Sequence, residues 1–240
     1  MARKMITEED LLNFRARADE LAKQLEVKYE EIERSKKTQL ELEERDTGLL
    51  ILGGGDADIA ILRKLSTAAW NEGFSPEVVD ISETFADHNP RERIPMWQKA
   101  LDKAQFGYLK LSERVKRIVI LGTGRSAAAA TVMAEQYPVD GLIIVGEGPA
   151  TKAFCRDRAT ARIASIAKNN LFSIVCPVYM IVPGVTGDYK PGSFRMFEQS
   201  SRSDDVRVEE MPGMSAEQIW TDRKQDMEKR IFGFLRELDG

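Results

Sequence analysis

Ser126 lies in the stretch Gly122-Thr123-Gly124-Arg125-Ser126-Ala127-Ala128, and two chemistries fit the spacing of these residues. Residues 122–127 match G-x-G-x-x-A, a loose dinucleotide-binding fingerprint in which glycines let backbone N–H groups approach a pyrophosphate at a helix N-terminus. Residues 124–128 nearly match G-x-S-x-G, a sharp strand-to-helix turn that presents a serine nucleophile, with alanine in the last place. A second glycine cluster, Gly53, Gly54 and Gly55, closes an earlier apolar run. Asp56 and Asp58 follow it and would repel phosphate there. For a nucleotide, Glu147 stands after the next strand, where an acid would take the ribose.

A serine hydroxyl attacks well only when a neighbouring base takes its proton. The chain has one histidine, His88, in the polar loop SETFADHNPRERIP. The loop follows the strand EVVDI, whose end faces the same edge of a parallel sheet as Ser126, so His88 is the one imidazole available. With no CxxC pair, no HExxH and no second histidine, a zinc site is not expected, although carboxylates could hold a hard cation; no metal ligand is assigned and no cofactor is expected. Cys155 and Cys176 are the only cysteines, so free thiols are expected rather than a disulfide framework.

The elements that must position these groups are legible as an alternation. Residues 49–52 and the segments SPEVVDI, 117–121, GLIIV, FSIVCPVYMIV and VRVEEM read as strands. Residues 57–72, 96–111, 151–170 and 215–238 read as helices. Strand and helix in regular turn predict an α/β fold with a mostly parallel sheet covered by helices on both faces. Residues 1–46 differ. Thr7-Glu8-Glu9-Asp10 is a helix start, and Leu11, Phe14, Ala18, Leu21, Leu25 and Ile32 form an apolar stripe among charges. The expected organisation is therefore an amphipathic helical extension over 1–46, with coiled-coil character, and an α/β domain over 47–240.

The order of these segments resembles the α/β-hydrolase superfamily over about residues 48–238. GLLILGGGDAD resembles its oxyanion strand, RIVILGTGRSAAAA its nucleophile turn, CPVYMIVPGVTGDYKP the strand and loop bearing the acid, and VRVEEMPGMSAE the final strand and histidine loop. The resemblance implies Ser126 as nucleophile, Asp188 as acid, and Gly53, Gly54 and Gly55 with the Ala127 N–H as oxyanion donors. The histidine does not carry over: Ser215 or Ala216 occupies its place, and no histidine follows His88. Glu217 in the same loop is a carboxylate and too weak a base to substitute well.

Bulk properties narrow the field further. Hydrophobic residues make up 42% of the chain and charged residues 31%, which suits a folded domain rather than a disordered segment. A net charge of −4 gives no general attraction to nucleic acid, and no apolar run is long enough to span a membrane. The charged N-terminus lacks a secretory pattern, so a cytoplasmic location is expected. Residues 151–170 carry Lys152, Arg156, Arg158, Arg162 and Lys168, either a solvated outer face or a contact surface for an acidic partner. The leading expectation is a non-catalytic hydrolase-like scaffold whose residues 7–46 oligomerise or dock a protein partner. The alternatives are a serine esterase or acyl hydrolase using Ser126, and a nucleotide-binding domain using Gly122 and Gly124.

Overall fold

The computed structural model describes residues 45–54, 59–85, 90–146, 173–184 and 202–239. All of them belong to one compact unit, Arg45–Gly240. The extension expected over residues 1–46 lies outside the described residues except for its last two. Those two are held by the domain. The Arg45 guanidinium lies 3.6 Å over the Trp70 ring and donates to the carbonyls of Trp70 and Phe74. The Asp46 carbonyl accepts from the N–H groups of Lys116 and Arg117.

Among the described residues six strands form the sheet: β1 (Thr47–Gly53), β2 (Ser75–Asp80), β3 (Arg117–Thr123), β4 (Gly141–Val145), β5 (Val178–Gly184) and β6 (Val206–Pro212). Their spatial order is β2-β1-β3-β4-β5-β6, and every pairing is parallel. The helices are α1 (Ile59–Asn71), α2 (Pro90–Ser112), α3 (Ala127–Gln136), α4 (Ala216–Asp222) and α5 (Lys224–Asp239). The central strands are continuous apolar runs because both faces of the sheet are covered, which leaves no face for polar residues to occupy.

Alternation along each strand divides the core in two. Leu50, Leu52, Ile118 and Ile120 pack with Trp97, Ala104 and Leu111 of α2 and with the alanines of α3. Leu49, Ile51, Val119 and Leu121 pack on the other face with Leu62 and Leu65 of α1, Trp220 of α4, and Ile231 and Leu235 of α5. Of the three tryptophans, Trp97 and Trp220 are buried in the two halves of the core, and Trp70 is partly buried beneath Arg45.

Two helices differ from the sequence reading. The helix expected over 96–111 begins at Pro90 and carries Pro95 inside it. Proline is well tolerated at the first helical position, because its missing N–H would have no intrahelical partner there. The helix expected over 215–238 breaks into α4 and α5 at Arg223, whose φ of −124° and ψ of 30° leave the helical range. The helix expected over 151–170 lies outside the described residues. No helix among the described residues is long and apolar enough to cross a membrane.

Candidate functional site

The strand order reverses direction at β1 and β3: the chain runs outward from β1 to β2, then crosses back to β3 and continues to β6. In open parallel sheets the crevice at the carboxyl ends of two such strands is where ligands bind. Of the residues singled out by the sequence, Gly53, Gly54, Ser126 and Ala127 lie at that edge. Gly53 ends β1, Gly54 follows it, and Ser126 and Ala127 stand at the start of α3 after β3.

What Ser126 does at this crevice is set by its hydrogen bonds. The residue is wholly buried. Its hydroxyl accepts from the Thr123 N–H at 2.8 Å, and it lies 2.6 Å from the Leu52 carbonyl and 2.9 Å from the Thr123 carbonyl. One hydroxyl has a single proton, so it donates to one carbonyl at a time. Donation to Leu52 links β1 and β3 just past the last pair of their register, Leu52 and Gly122. All of these partners are backbone groups.

The turn itself explains the placement. Gly124 carries the left-handed conformation, with φ of +49°, and begins a 3-10 turn over Gly124–Ser126. No non-glycine residue among those described has positive φ. Ser126 is helical, at φ −72° and ψ −12°, and its side chain folds back on the strand it follows. Gly122 has a different reason to be glycine. A Cβ there would meet Ala130 Cβ at 2.7 Å and Ala127 Cα at 2.8 Å, so the missing side chain lets α3 lie directly on β3. Residues 127–134 of α3 are all buried.

The glycine turn after β1 is also closed by the chain's own backbone. The Gly53 carbonyl accepts from the Ile81 N–H at 2.9 Å. Gly54 has φ of +129°, and a Cβ on it would stand 2.8 Å from the Ser82 N. Gly55, His88 and Asp188 lie outside the described residues, as do Glu147 and Cys155. In the final loop, Ser215 caps α4: its hydroxyl accepts from the Gln218 N–H at 3.2 Å, and the Gln218 side chain accepts from the Ser215 N–H at 2.9 Å. This reciprocal cap is legible in the sequence as S-x-x-Q. Glu217 is exposed in the first turn of α4.

Three cavities lined by described residues lie elsewhere. One of about 490 Å³ lies beside β2 and α2. Another, of about 630 Å³, lies between β6 and α5. A third, of about 610 Å³, adjoins Cys176 and the Tyr108–Tyr137 aromatic pair. Cys176 is a free, buried thiol, and burial pushes its pKa up to about 11 from 9.0. Between those two values the folded chain holds a proton that the unfolded chain has released. Stability must therefore fall as pH rises through that window, by on the order of 2 kcal/mol from this group. Buried Tyr108 and Tyr179 are raised as well, chiefly by burial, so they add to the same alkaline slope. The difference in urea-unfolding free energy between wild type and Cys176→Ala, measured from pH 8 upward, is expected to narrow with pH as the thiol's share is lost. A constant difference would contradict the assigned burial effect.

No protein-family model and no curated protein sequence matches the chain. Solved structures do. One is from a study of LipS and LipT, two metagenome-derived lipolytic enzymes: it is 13% identical, with a TM-score of 0.65, over 80% of this chain and 94% of its own. The Pyrococcus furiosus esterase PF2001 is 14% identical with a TM-score of 0.58, over 81% of this chain and 83% of its own. Est1E from Butyrivibrio proteoclasticus is 11% identical with a TM-score of 0.58, over 82% of this chain and 89% of its own. Identities this low speak for architecture alone. With an all-parallel six-stranded sheet covered on both faces and these structures superposing over four-fifths of its length, the chain has the α/β-hydrolase fold.

Proposed function

We propose that this chain is a non-catalytic protein built on a hydrolase scaffold, with residues 7–46 serving as its oligomerising or partner-docking helix. The observation that carries the non-catalytic part is the state of the Ser126 hydroxyl: buried, accepting from one backbone N–H and donating to a backbone carbonyl. A nucleophile must instead stand clear of the sheet with a base in reach. Two further facts support the reading. The left-handed position after β3 belongs to Gly124, which has no side chain to offer. Of Ser215 and Ala216, either of which stands where the family resemblance asks for histidine, Ser215 is spent on capping α4 and Ala216 has no side-chain donor or acceptor.

The esterase reading, suggested by the names of the structural neighbours, requires Ser126 to leave all of these bonds and the first turn of α3 to rebuild. The nucleotide reading requires open space over Gly122, and Ala127 and Ala130 of α3 fill that space. The docking role rests on the apolar stripe of residues 11–32, which needs a covering surface.

Two measurements test the proposal. The full chain should hydrolyse p-nitrophenyl acetate no faster than its Ser126→Ala variant; a Ser126-dependent rate would refute catalytic silence. Removing residues 1–44, while keeping Arg45 on its Trp70 and Phe74 contacts, should preserve the cooperative unfolding of the domain and lower its assembly state or abolish partner capture. Unchanged assembly would refute the docking role.

A further inference from the structure

The outer edge of β6 carries a pattern that the fold itself does not use. Among the described residues β6 pairs only with β5. The Val178 N–H donates to the Asp205 carbonyl, in a register that sets Val178 against Val206 and Met180 against Val208. A parallel ladder in that register turns the N–H and C=O groups of Arg207 and Glu209 toward β5. It leaves those of Val206, Val208 and Glu210 facing outward, free to bond another strand.

That edge is complementary to itself. About a two-fold axis through Val208, an antiparallel second β6 would set Val208 against Val208 as a hydrogen-bonded pair. Arg207 of each copy would then oppose Glu209 of the other at the closer, non-hydrogen-bonded positions. The other end of the sheet lacks this property. In β2, Pro76 has no N–H to give, and an axis through Val78 would oppose Glu77 to Val79 and Pro76 to Asp80.

Among the described residues, the surroundings of β6 leave room for such a partner. Arg207 and Glu209 stand on the α5 side, at the cavity of about 630 Å³ between β6 and α5. Within the chain Arg207 pairs with Asp205 and Glu237, and Glu209 with Arg230 and Tyr179. The side chains of Arg207 and Glu209 are 46% and 40% exposed, so these are solvent-screened pairs that exchange partners cheaply. Gly233 in α5 lines the same cavity, and a Cβ on it would meet nothing within 4 Å. Glycine inside a helix is less favourable than alanine, and packing among the described residues gives no reason for it here. It widens the groove on the side where the opposing Arg207 and Glu209 would project.

We propose that β6 is a homodimerising edge: a second copy of this chain adds its own β6 antiparallel about Val208, joining the two sheets into one. This interface is distinct from any association made through residues 7–46.

The test is site-directed cross-linking of the full chain with a short bis-maleimide. A Val208→Cys variant should give a covalent dimer bridged at position 208 in both copies, at least tenfold above a Glu113→Cys control in the exposed turn after α2. Adding Arg207→Glu should lower the yield at least fivefold, and the double reversal R207E/E209R should restore it, because the swap regenerates both cross-strand pairs. Gly233→Leu, which fills the groove, should abolish the cross-link while thermal unfolding shows the domain intact. Yields at position 208 no higher than the control, or a double reversal as poor as the single, would overturn the proposal. If the charge reversals fail to fold, Gly233→Leu decides alone, and undiminished cross-linking in that variant would overturn it. The same Val208→Cys cross-link should persist in a chain lacking residues 1–44, which separates this interface from any association through residues 7–46; its loss there would overturn the proposal.

Discussion

Gly122→Val is expected to be the most damaging single change at the β3–α3 turn, lowering stability by about 3 kcal/mol or more. The first atom of the new side chain would fall 2.7 Å from Ala130 Cβ and 2.8 Å from Ala127 Cα. The second of these is backbone, so no rotamer change relieves it. α3 would have to lift from the sheet, and its buried residues 127–134 would lose their packing with it. Against a total stability of roughly 5–15 kcal/mol for a domain of this kind, that loss is large. Gly122→Ala should show a smaller fall in the same direction, since it adds the same Cβ without the branches. Urea midpoints measured by circular dichroism check both, and a Gly122→Val protein as stable as wild type would contradict the packing described.

The second large effect is expected from Ser126→Ala, and it falls on stability rather than on rate. Removing the hydroxyl strips the Thr123 N–H of its acceptor and the Leu52 carbonyl of its donor in a site closed to water. An orphaned buried polar group costs about 1–3 kcal/mol, so the pair should cost about 2–4 kcal/mol. A catalytic serine behaves in the opposite way: its removal abolishes turnover and commonly leaves the fold intact. Equilibrium unfolding of Ser126→Ala should therefore show a clearly lowered midpoint at an unchanged slope. A variant as stable as wild type would show that the hydroxyl does not hold the turn.

Most of the fold was legible because its strands are unusually plain. Residues 49–52, 117–121 and GLIIV are apolar without interruption, as strands buried on both faces must be, and the glycines beside them mark where they end. Helix limits were less legible. The polar run ending at Pro95 reads as a loop, yet Pro90 starts α2, because proline suits a helix's first position, and the helix continues through Pro95. The break between α4 and α5 falls in the charge-rich TDRKQD, which holds neither glycine nor proline to announce it.

The candidate site was legible in location and illegible in role. Motif spacing leads to the β3–α3 turn, but it does not say whether the residue at the turn's left-handed position is Gly124 or Ser126, which lie two apart. Structure assigns that position to Gly124. The direction of the Ser126 hydroxyl depends on Leu52, 74 residues earlier, and no local pattern encodes a bond of that range. By contrast, Ser215 as a helix cap needed only its own neighbour Gln218, three residues on, and could have been read directly. The clamp of Arg45 on Trp70 and Phe74 is again long-range and carries no motif.

The central claim is that the Ser126 hydroxyl belongs to the structure and not to a reaction. Incubating the folded full chain with a fluorophosphonate, followed by intact-mass and peptide mass spectrometry, tests it directly. The account predicts that Ser126 stays unmodified under conditions that label an active serine esterase to completion. A stoichiometric phosphonyl adduct on Ser126 would contradict it.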